Sequence, residues 1–234
     1  MSERYAIYFA PDRQHPLWSA AAQWLGRDPS GAGVGANDVA GLARAELDAR
    51  SLSARRYGFH ATIKAPMRLG SDIAPGELAS ELERFVAARA PVSLGRMELA
   101  LLDGFLALVP VEQSSALTGF AAEVVEHFDR FRAPLEADDR RRRLAGGALT
   151  PRQTELLDRY GYPYVLEQFQ FHMTLTDRLP RDEQAFYRAA AARHFGALAE
   201  AELRLDRLVL FEEPQAGQPF VRGADYLLAE RSDR

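Results

Sequence analysis

The chain has 234 residues, of which 47% are hydrophobic, and a net charge of −4 at pH 7. This length and apolar content suffice for a sizeable core, while the negative charge argues against a general nucleic-acid binder. The absence of cysteine excludes disulfides, thiol nucleophiles and thiolate metal sites. No apolar run reaches 18 residues and the N-terminal residues lack the pattern of a signal peptide, so we expect a cytoplasmic protein without a membrane span.

The first part of the chain predicts a strand, a helix and a loop. Aromatic and apolar residues over 5–11 predict the strand. The helix is predicted between Pro16, which suits a first helical position, and Gly26, which suits a helix end. Three glycines in the loop over 28–41 have the spacing G-x-G-x-G, which does not match a dinucleotide-binding fingerprint.

Two Phe-His-x-Thr motifs, beginning at Phe59 and at Phe171, are each followed by the same succession of predicted elements. After the first motif come a helix over 75–90 and strands over 92–101 and 105–111, and after the second come a helix over 181–195 and strands over 202–211 and 219–228. Arg96 and Arg207 lie 36 and 35 residues after the respective motif histidines. This long-period repeat predicts two related lobes.

We expect a single domain, 1–234, with one lobe over about 1–132 and the other over about 164–234, and strands that can be exchanged between them. A helix over 115–132 is predicted to end the first lobe. The connection over 133–163 is long and polar for a simple link between lobes. A lid over the site and a surface excursion therefore both stay open.

The connection itself contains two predicted helical features. Thr150 suits an N-cap, Pro151 a first helical position and Gly161 the position after a helix end. Before them, four consecutive arginines over 140–143 follow an acidic patch, and neighbouring opposite charges of this kind predict a solvated helix.

The two motifs contain the candidate catalytic residues, because they hold two of only five histidines in the chain. In a strand, alternate residues share a face. The predicted polar faces present His60, Thr62 and Lys64 in the first motif and His172, Thr174 and Thr176 in the second. If the two strands meet across a cleft, two imidazoles and two hydroxyls converge on one bound group.

Such a convergence fits general acid–base cleavage of a phosphodiester. Threonine hydroxyls would bond the non-bridging oxygens, while one histidine takes a proton from water and the other protonates the leaving oxygen. An unperturbed pKa of about 6.5 suits histidine to both roles. A lone strand histidine is more often a structural hydrogen-bonding residue, and the duplication in register is what favours catalysis. No metal and no other cofactor are expected, since a zinc site would need a third ligand and neither motif supplies one.

Lys64 is the only lysine among 29 basic residues, and it follows His60 by four positions. The surrounding segment, 50–68, contains five cations and no acid. We therefore expect Lys64 to contact the phosphate or a second anionic group of the substrate, where a compact ammonium acts as a point charge.

The stretch RRYGFHATIKAP (55–66), together with YGYPYVLEQFQFHMTLT (160–176), resembles the 2H phosphoesterase superfamily, and within it the branch encoded with phosphonate-degradation genes. The likeness runs over nearly the whole chain. It implies a bilobal α+β fold, in which pseudo-two-fold-related antiparallel sheets face a central groove with helices outside. It also implies cyclic phosphodiester or related phosphoester chemistry, with His60, Thr62, His172 and Thr174 as the catalytic residues.

The same resemblance suggests a substrate, a phosphoribosyl cyclic phosphate, because phosphonate breakdown passes through such an ester. The candidate substrate-binding residues are Lys64, Arg56, Tyr57, Thr176, Tyr162 and Tyr164. We expect a small phosphorylated molecule as the partner and no membrane contact.

Two alternatives to a cyclic phosphodiesterase of sugar phosphates stay open. One is action on RNA 2′,3′-cyclic ends or 2′–5′ linkages, for which tyrosines near both motifs could stack bases although the net charge is unfavourable. The other is a non-catalytic module that binds a phosphorylated metabolite in the same groove. Turnover that depends on both histidines separates the enzyme from the binder.

Overall fold

The computed structural model describes residues 3–145 and 147–230. Within them the helices are α1 (Pro16–Leu25), α2 (Arg44–Ala49), α3 (Leu52–Tyr57), α4 (Pro75–Ala87), α5 (Ser115–Phe128), α6 (Ala137–Ala145), α7 (Pro151–Tyr160) and α8 (Gln184–Phe195). The strands are β1 (Arg4–Phe9), β2 (Ala61–Met67), β3 (Val92–Leu102), β4 (Phe105–Pro110), β5 (Met173–Thr174), β6 (Glu202–Leu205), β7 (Arg207–Glu213) and β8 (Val221–Leu227). The predicted α+β class is confirmed, and none of the described helices is long and apolar enough to cross a membrane.

The strands form one sheet of eight in the order β6-β3-β4-β5-β2-β1-β7-β8, and every neighbouring pair is antiparallel. The two motif strands, β2 and β5, are the central pair, with Ala61 opposite Met173. Two antiparallel halves were predicted to face each other across a groove. The structure joins their inner edges through β2 and β5, so that the halves are continuous.

The strand predicted over 202–211 is divided at Asp206, and its two parts have different partners. β6 pairs with β3, whereas β7 pairs with β1 and β8. Burial explains the division, because side chains alternate between buried and exposed along β6 but are buried without interruption over the first five residues of β7. β6 thus pairs with a strand that follows the first motif, whereas β7 pairs with the first strand of the chain.

The segment between the predicted lobes packs against the body of the protein through α7. Thr150 accepts from the Gln153 backbone N–H at 3.1 Å, and Gly161 ends the helix with a φ of 74° in the left-handed region, as predicted. Leu156 and Tyr160 of α7 form a small apolar cluster with Val125 of α5. This packing fixes the chain that enters and leaves α7.

A β-bulge in β2 changes the direction of Lys64. Along β1, Tyr8 lies opposite Thr62 and the preceding Ile7 lies opposite Lys64, so that β2 contains one extra residue, Ile63. Ile63 and Lys64 are both buried, at 2% and 3% exposure, whereas strict alternation would separate them. The prediction that Lys64 shares the face of Thr62 is therefore wrong.

Lys64 instead closes the end of α5. Its Nζ donates to the Val125 carbonyl and to Asp129 Oδ1, both at 3.1 Å. Val125 belongs to the last turn of α5, where backbone carbonyls lack helical partners and a cation is favourable. Burial lowers the pKa of Lys64 to about 8, although the Asp129 carboxylate opposes this shift. The only lysine of the chain thus has a structural role.

We expect Asp129→Ala to destabilise the protein more than Lys64→Met. Loss of Asp129 leaves a buried ammonium without its carboxylate, which costs about 3 kcal/mol or more. Loss of Lys64 leaves Asp129 with Arg132, whose Nε donates to it at 2.9 Å, so about 1–2 kcal/mol is expected. Urea unfolding of the two variants measures both losses in the free energy of unfolding.

Glu136→Ala is the matched control, because Glu136 is exposed and pairs with Arg68 at the surface. Its cost should stay below about 0.5 kcal/mol. If Lys64→Met destabilises as much as Asp129→Ala, the assignment of Lys64 to the end of α5 is incorrect.

Candidate active site

His60 is held by the backbone that enters β2. Its Nδ1 lies 2.9 Å from the Gly58 carbonyl, to which it can donate, and its Nε2 lies 3.1 Å from Thr62 Oγ1. A neutral ring that donates through Nδ1 has its lone pair on Nε2, which then accepts from the Thr62 hydroxyl. The arrangement suits Nε2 to accept a proton.

Tyr8 covers the other side of this imidazole. The two rings are stacked with centroids 3.8 Å apart and planes at 22°, and Tyr8 is fully buried in β1. Burial lowers the pKa of His60 to about 4, against the opposing effect of the Gly58 carbonyl, and a protonated His172 lowers it further. His60 is therefore neutral at neutral pH.

His172 repeats this construction immediately before β5. Its Nδ1 lies 2.8 Å from the Gln170 carbonyl, again two residues earlier in the chain, and Phe105 lies beside its ring at 5.8 Å between centroids. Burial lowers the pKa of His172, while the bond to the Gln170 carbonyl opposes the shift. Both histidines thus use Nδ1 for orientation and keep Nε2 for chemistry.

The pairing of β2 with β5 explains why these side chains meet. Because the strands are antiparallel and Ala61 lies opposite Met173, the neighbouring positions place His60 across from Thr174 and His172 across from Thr62. Ala61 and Met173 are fully buried in the core, which leaves the other face of both strands to the four polar residues.

Two adjoining cavities lie on this face. The first, about 270 Å³ and here called the His60 cavity, is lined by His60 and Thr174. The second, about 470 Å³ and here called the His172 cavity, contains His172. Thr62 and Tyr162 line both and so connect them into one groove. The four predicted catalytic residues are brought together.

Three of the six predicted substrate-binding residues also border this groove. Tyr57 lines the His60 cavity, Tyr164 lines the His172 cavity and Tyr162 lies between the two. Tyr162 and Tyr164 are in edge contact with ring centroids 5.5 Å apart. The groove therefore has an aromatic wall.

The other three predicted binding residues do not line it. Besides Lys64, Arg56 turns away to form an ion pair with the buried Glu213. Thr176 is fully buried and accepts from the Leu106 backbone N–H at 2.9 Å. The prediction for Thr176 assumed a longer strand, but β5 ends at Thr174 and the alternation of faces ends with it.

Sequence reasoning missed Arg4, Tyr8 and Arg143, which all line the His60 cavity. Arg4 and Tyr8 are four residues apart in β1 and share a strand face, a signal that becomes useful only once β1 is known to pair with β2. Arg143 belongs to the arginine run of α6. Arg140 and Arg141 form surface ion pairs as predicted for a solvated helix, whereas Arg143 reaches the cavity.

The remaining histidines have structural partners elsewhere. His15 caps α1 by accepting from the Leu17 N–H, His127 bonds Glu81, and His194 bonds the Ala20 carbonyl. Over residues 3–145 and 147–230, no three His, Asp or Glu side chains are grouped so as to hold a metal ion.

Sequence comparisons relate the chain to proteins of about twice its length. A family model described as "Protein of unknown function (DUF1045)" matches residues 62–221. Proteins called "Ribose 1,5-bisphosphate phosphokinase PhnN" are 41% identical over 224 residues in Janthinobacterium sp. (strain Marseille) and 35% identical over 227 residues in Laribacter hongkongensis (strain HLHK9). The alignments cover 93% of this chain but 49% and 50% of those relatives, so the chain spans about half their length.

Solved structures similar to the chain include "Crystal structure of phosphoesterase", with a TM-score of 0.43, 12% identity and coverage of 98% of this chain and 100% of that one. Another is "Crystal structure of E.coli LigT complexed with NADP+", with a TM-score of 0.42, 10% identity and coverage of 98% and 99%.

Gly58→Ala should destabilise the protein and disturb His60. Gly58 has φ 78° and ψ 177°, a conformation that only glycine adopts readily, and an added Cβ would lie 2.5 Å from Pro29 Cγ. We expect a loss of about 2–3 kcal/mol in urea unfolding. Because the Gly58 carbonyl accepts from Nδ1, the NMR signals of the His60 ring should shift as well.

Gly31→Ala is the matched control. Gly31 also has a positive φ, 89°, but a Cβ there would meet no atom within 4 Å. Only the backbone strain should appear, about 1–2 kcal/mol, with unchanged His60 signals. Equal effects on the His60 ring from the two substitutions would contradict the role given to the Gly58 carbonyl.

Proposed function

The chain belongs to the DUF1045 family, and we propose that it is a phosphoesterase that hydrolyses a cyclic phosphodiester on a small sugar phosphate without a metal. The observation that carries this proposal is the matched construction of His60 and His172. Each Nδ1 is held by a carbonyl two residues earlier, and each ring borders the groove lined by Thr62. The resemblance of both motifs to 2H phosphoesterases supports the same chemistry.

His60 is the general base and His172 the general acid. Repulsion between the two rings favours a single proton on the pair, and we place it on His172 because burial lowers the pKa of His60 further, to about 4. His60 Nε2 then carries no proton, and it can accept one from water once the Thr62 hydroxyl donates to the phosphate instead. The negative charge of a bound phosphodiester favours this singly protonated pair over a neutral one, because an anion nearby raises the pKa of an imidazole.

The reaction balances with water as the only co-reactant. His60 Nε2 takes a proton from water as the water oxygen attacks phosphorus. His172 protonates the sugar oxygen that leaves when the cyclic phosphate opens. The products are a phosphomonoester and a free hydroxyl on the same sugar. Thr62 and Thr174 would donate to the non-bridging oxygens, and each proton transfer contributes typically 10²–10⁴-fold. Proton exchange with solvent then restores the starting protonation of His60 and His172.

The lining of the groove favours a phosphorylated substrate. The His60 cavity is about 270 Å³ and has cations near the motif residues. The curated relatives are named for ribose 1,5-bisphosphate, a small sugar with two phosphates, which supports a phosphoribosyl cyclic phosphate as the substrate. Such a metabolite fits the cytoplasmic location that we expect.

The phosphokinase activity in the relatives' name is not part of this proposal. A phosphate-binding loop of the P-loop type ends in Gly-Lys followed by Ser or Thr. The only lysine of this chain follows Ile63 and precedes Ala65, so the sequence contains no such loop.

A second candidate function is hydrolysis of RNA 2′,3′-cyclic ends. The observation that favours it is the aromatic wall, because Tyr164 is 46% exposed and could stack a base beside His172. A third candidate is a module that binds a phosphorylated metabolite in this groove without turnover.

A screen of cyclic phosphates in the presence of EDTA tests the proposal. We expect wild-type turnover to persist with the chelator, His60→Ala and His172→Ala each to lose about 10²-fold or more in kcat, and the double variant to lose much less than the product, because the residues act as a unit. Activity abolished by EDTA and restored by zinc or manganese would favour a metal site. Binding without turnover would favour the module.

The roles of the two histidines are separated by the leaving group. A p-nitrophenyl phosphodiester needs little protonation of its leaving oxygen. His172→Ala should therefore lose much less activity on that compound than on a cyclic phosphate. His60→Ala should lose as much activity on the p-nitrophenyl compound as on a cyclic phosphate, since attack by water still needs the base. The opposite pattern would reverse the two roles.

The pH profile of kcat/KM should be bell-shaped and displaced to the acid side. Activity should fall as the pH drops through about 4, because His60 becomes protonated. It should fall again as the pH rises through the pKa of His172, which burial lowers from the usual range of histidine, because His172 then loses its proton. In kcat both limbs should move to higher pH, since the bound anion raises both pKa values. A profile without an acid or a basic limb between pH 3 and 8 would argue against the pair.

A further inference from the structure

The His60 cavity has a cationic end that the proposed hydrolysis does not use. Arg4 and Arg143 line it together with the motif residues, and among the described residues that line this cavity there is no Asp or Glu. Three tyrosine rings, the His60 imidazole and several small side chains complete most of the wall. A ligand in this cavity therefore meets two guanidinium groups and no carboxylate.

Arg143 is directed into the cavity by an aromatic ring. Its guanidinium carbon lies 5.1 Å from the centroid of Tyr162, the residue that connects the two cavities. Within the described part of the chain no carboxylate lies within 4 Å of this guanidinium, whereas Arg140 and Arg141 of the same helix each have one. Asp139, a carboxylate whose charge acts on Arg143, is bonded to Arg68 at 2.6 Å.

Arg4 lines the same cavity from β1. Its Nε donates to Glu213, a fully buried carboxylate that also receives Arg56 and the Gly217 backbone N–H. One carboxylate is thus shared by two guanidinium groups, which leaves an excess of positive charge. Arg4 and Arg143 are close enough to repel each other, since Arg4 contributes to lowering the pKa of Arg143 after the larger effect of burial.

We propose that Arg4 and Arg143 bind a second phosphate group of the substrate, a phosphomonoester on the same sugar as the cyclic phosphodiester. This inference rests on the proposed function for the position of the first phosphate. A dianionic group between the two arginines relieves their repulsion and accepts several charge-assisted hydrogen bonds. The role that the sequence suggested for Lys64 thereby passes to two arginines.

Guanidinium groups suit this role better than an ammonium would. Their planar forks match phosphate oxygens, and the ring of Tyr162 limits the positions that Arg143 can adopt. A charge-assisted hydrogen bond of this kind typically changes an affinity by about 10- to 100-fold. The site therefore selects doubly phosphorylated sugars over the same sugars with one phosphate.

The test compares two substrates, a phosphoribosyl cyclic phosphate and the same ribosyl cyclic phosphate without the phosphomonoester. Arg143→Gln should lower kcat/KM about 10- to 100-fold on the first and leave the second within about twofold. Arg143→Lys should retain part of the wild-type preference in kcat/KM for the substrate with the phosphomonoester. Arg141→Gln is the matched control, because Arg141 is on the same helix, exposed and paired with Asp138, and it should alter neither substrate.

Equal losses of Arg143→Gln on both substrates, or no loss on either, would overturn the proposal. Thermal melting of Arg143→Gln and Arg141→Gln, expected to agree, separates a lost contact from a damaged fold. If Arg143→Gln melts lower, the substrate comparison is made with Arg143→Lys alone, and the same two outcomes decide.

A binding measurement separates this proposal from the hydrolysis. Calorimetry with ribose 5-phosphate should give binding that weakens about tenfold or more in Arg143→Gln and is unchanged in Arg141→Gln. If wild type turns over neither cyclic phosphate but shows this pattern, the hydrolysis is wrong and the phosphate site stands. If ribose 5-phosphate binds wild type and Arg143→Gln alike, the phosphate site is wrong, whatever the turnover.

Discussion

The structure depends on one short strand pairing, Ala61 opposite Met173. These two residues are buried, and each is the middle residue of an H-x-T triplet. In an antiparallel pair centred on them, a histidine of one strand lies across from the threonine of the other. The spacing of the motif is therefore a geometric requirement, because a histidine and a threonine two residues apart share a face and the core residue between them fixes the register.

Burial then sets the electrostatics of the site. His60 is stacked on Tyr8 and kept neutral, and its Nδ1 is used by a backbone carbonyl. Lys64, in the strand that His60 precedes, is buried on the other side and stays paired with Asp129. The bulge at Ile63 turns Lys64 away, since without it the ammonium would share a strand face with the imidazole and its charge would oppose protonation of that ring.

The long connection between the two halves supplies part of the site. Arg143 comes from α6, Tyr162 and Tyr164 follow α7, and all three reach the groove formed by β2 and β5. α7 is held against α5 by its own apolar cluster. A segment that reads as a polar excursion thus contributes an aromatic wall and a second cation, in addition to Arg4 of β1.

Local features of this molecule follow from the sequence by itself. The two motifs, the succession of helix and two strands after each, and the caps at Gly26 and Gly161 all depend on neighbouring residues, and periodicity or turn chemistry expresses them directly. Tertiary structure alone decided the order of the strands, the break at Asp206, the bulge that turns Lys64 towards α5, and the direction of Arg143. These depend on pairing between residues far apart in the chain, and a strand sequence specifies which faces it can bury but not which partner covers them.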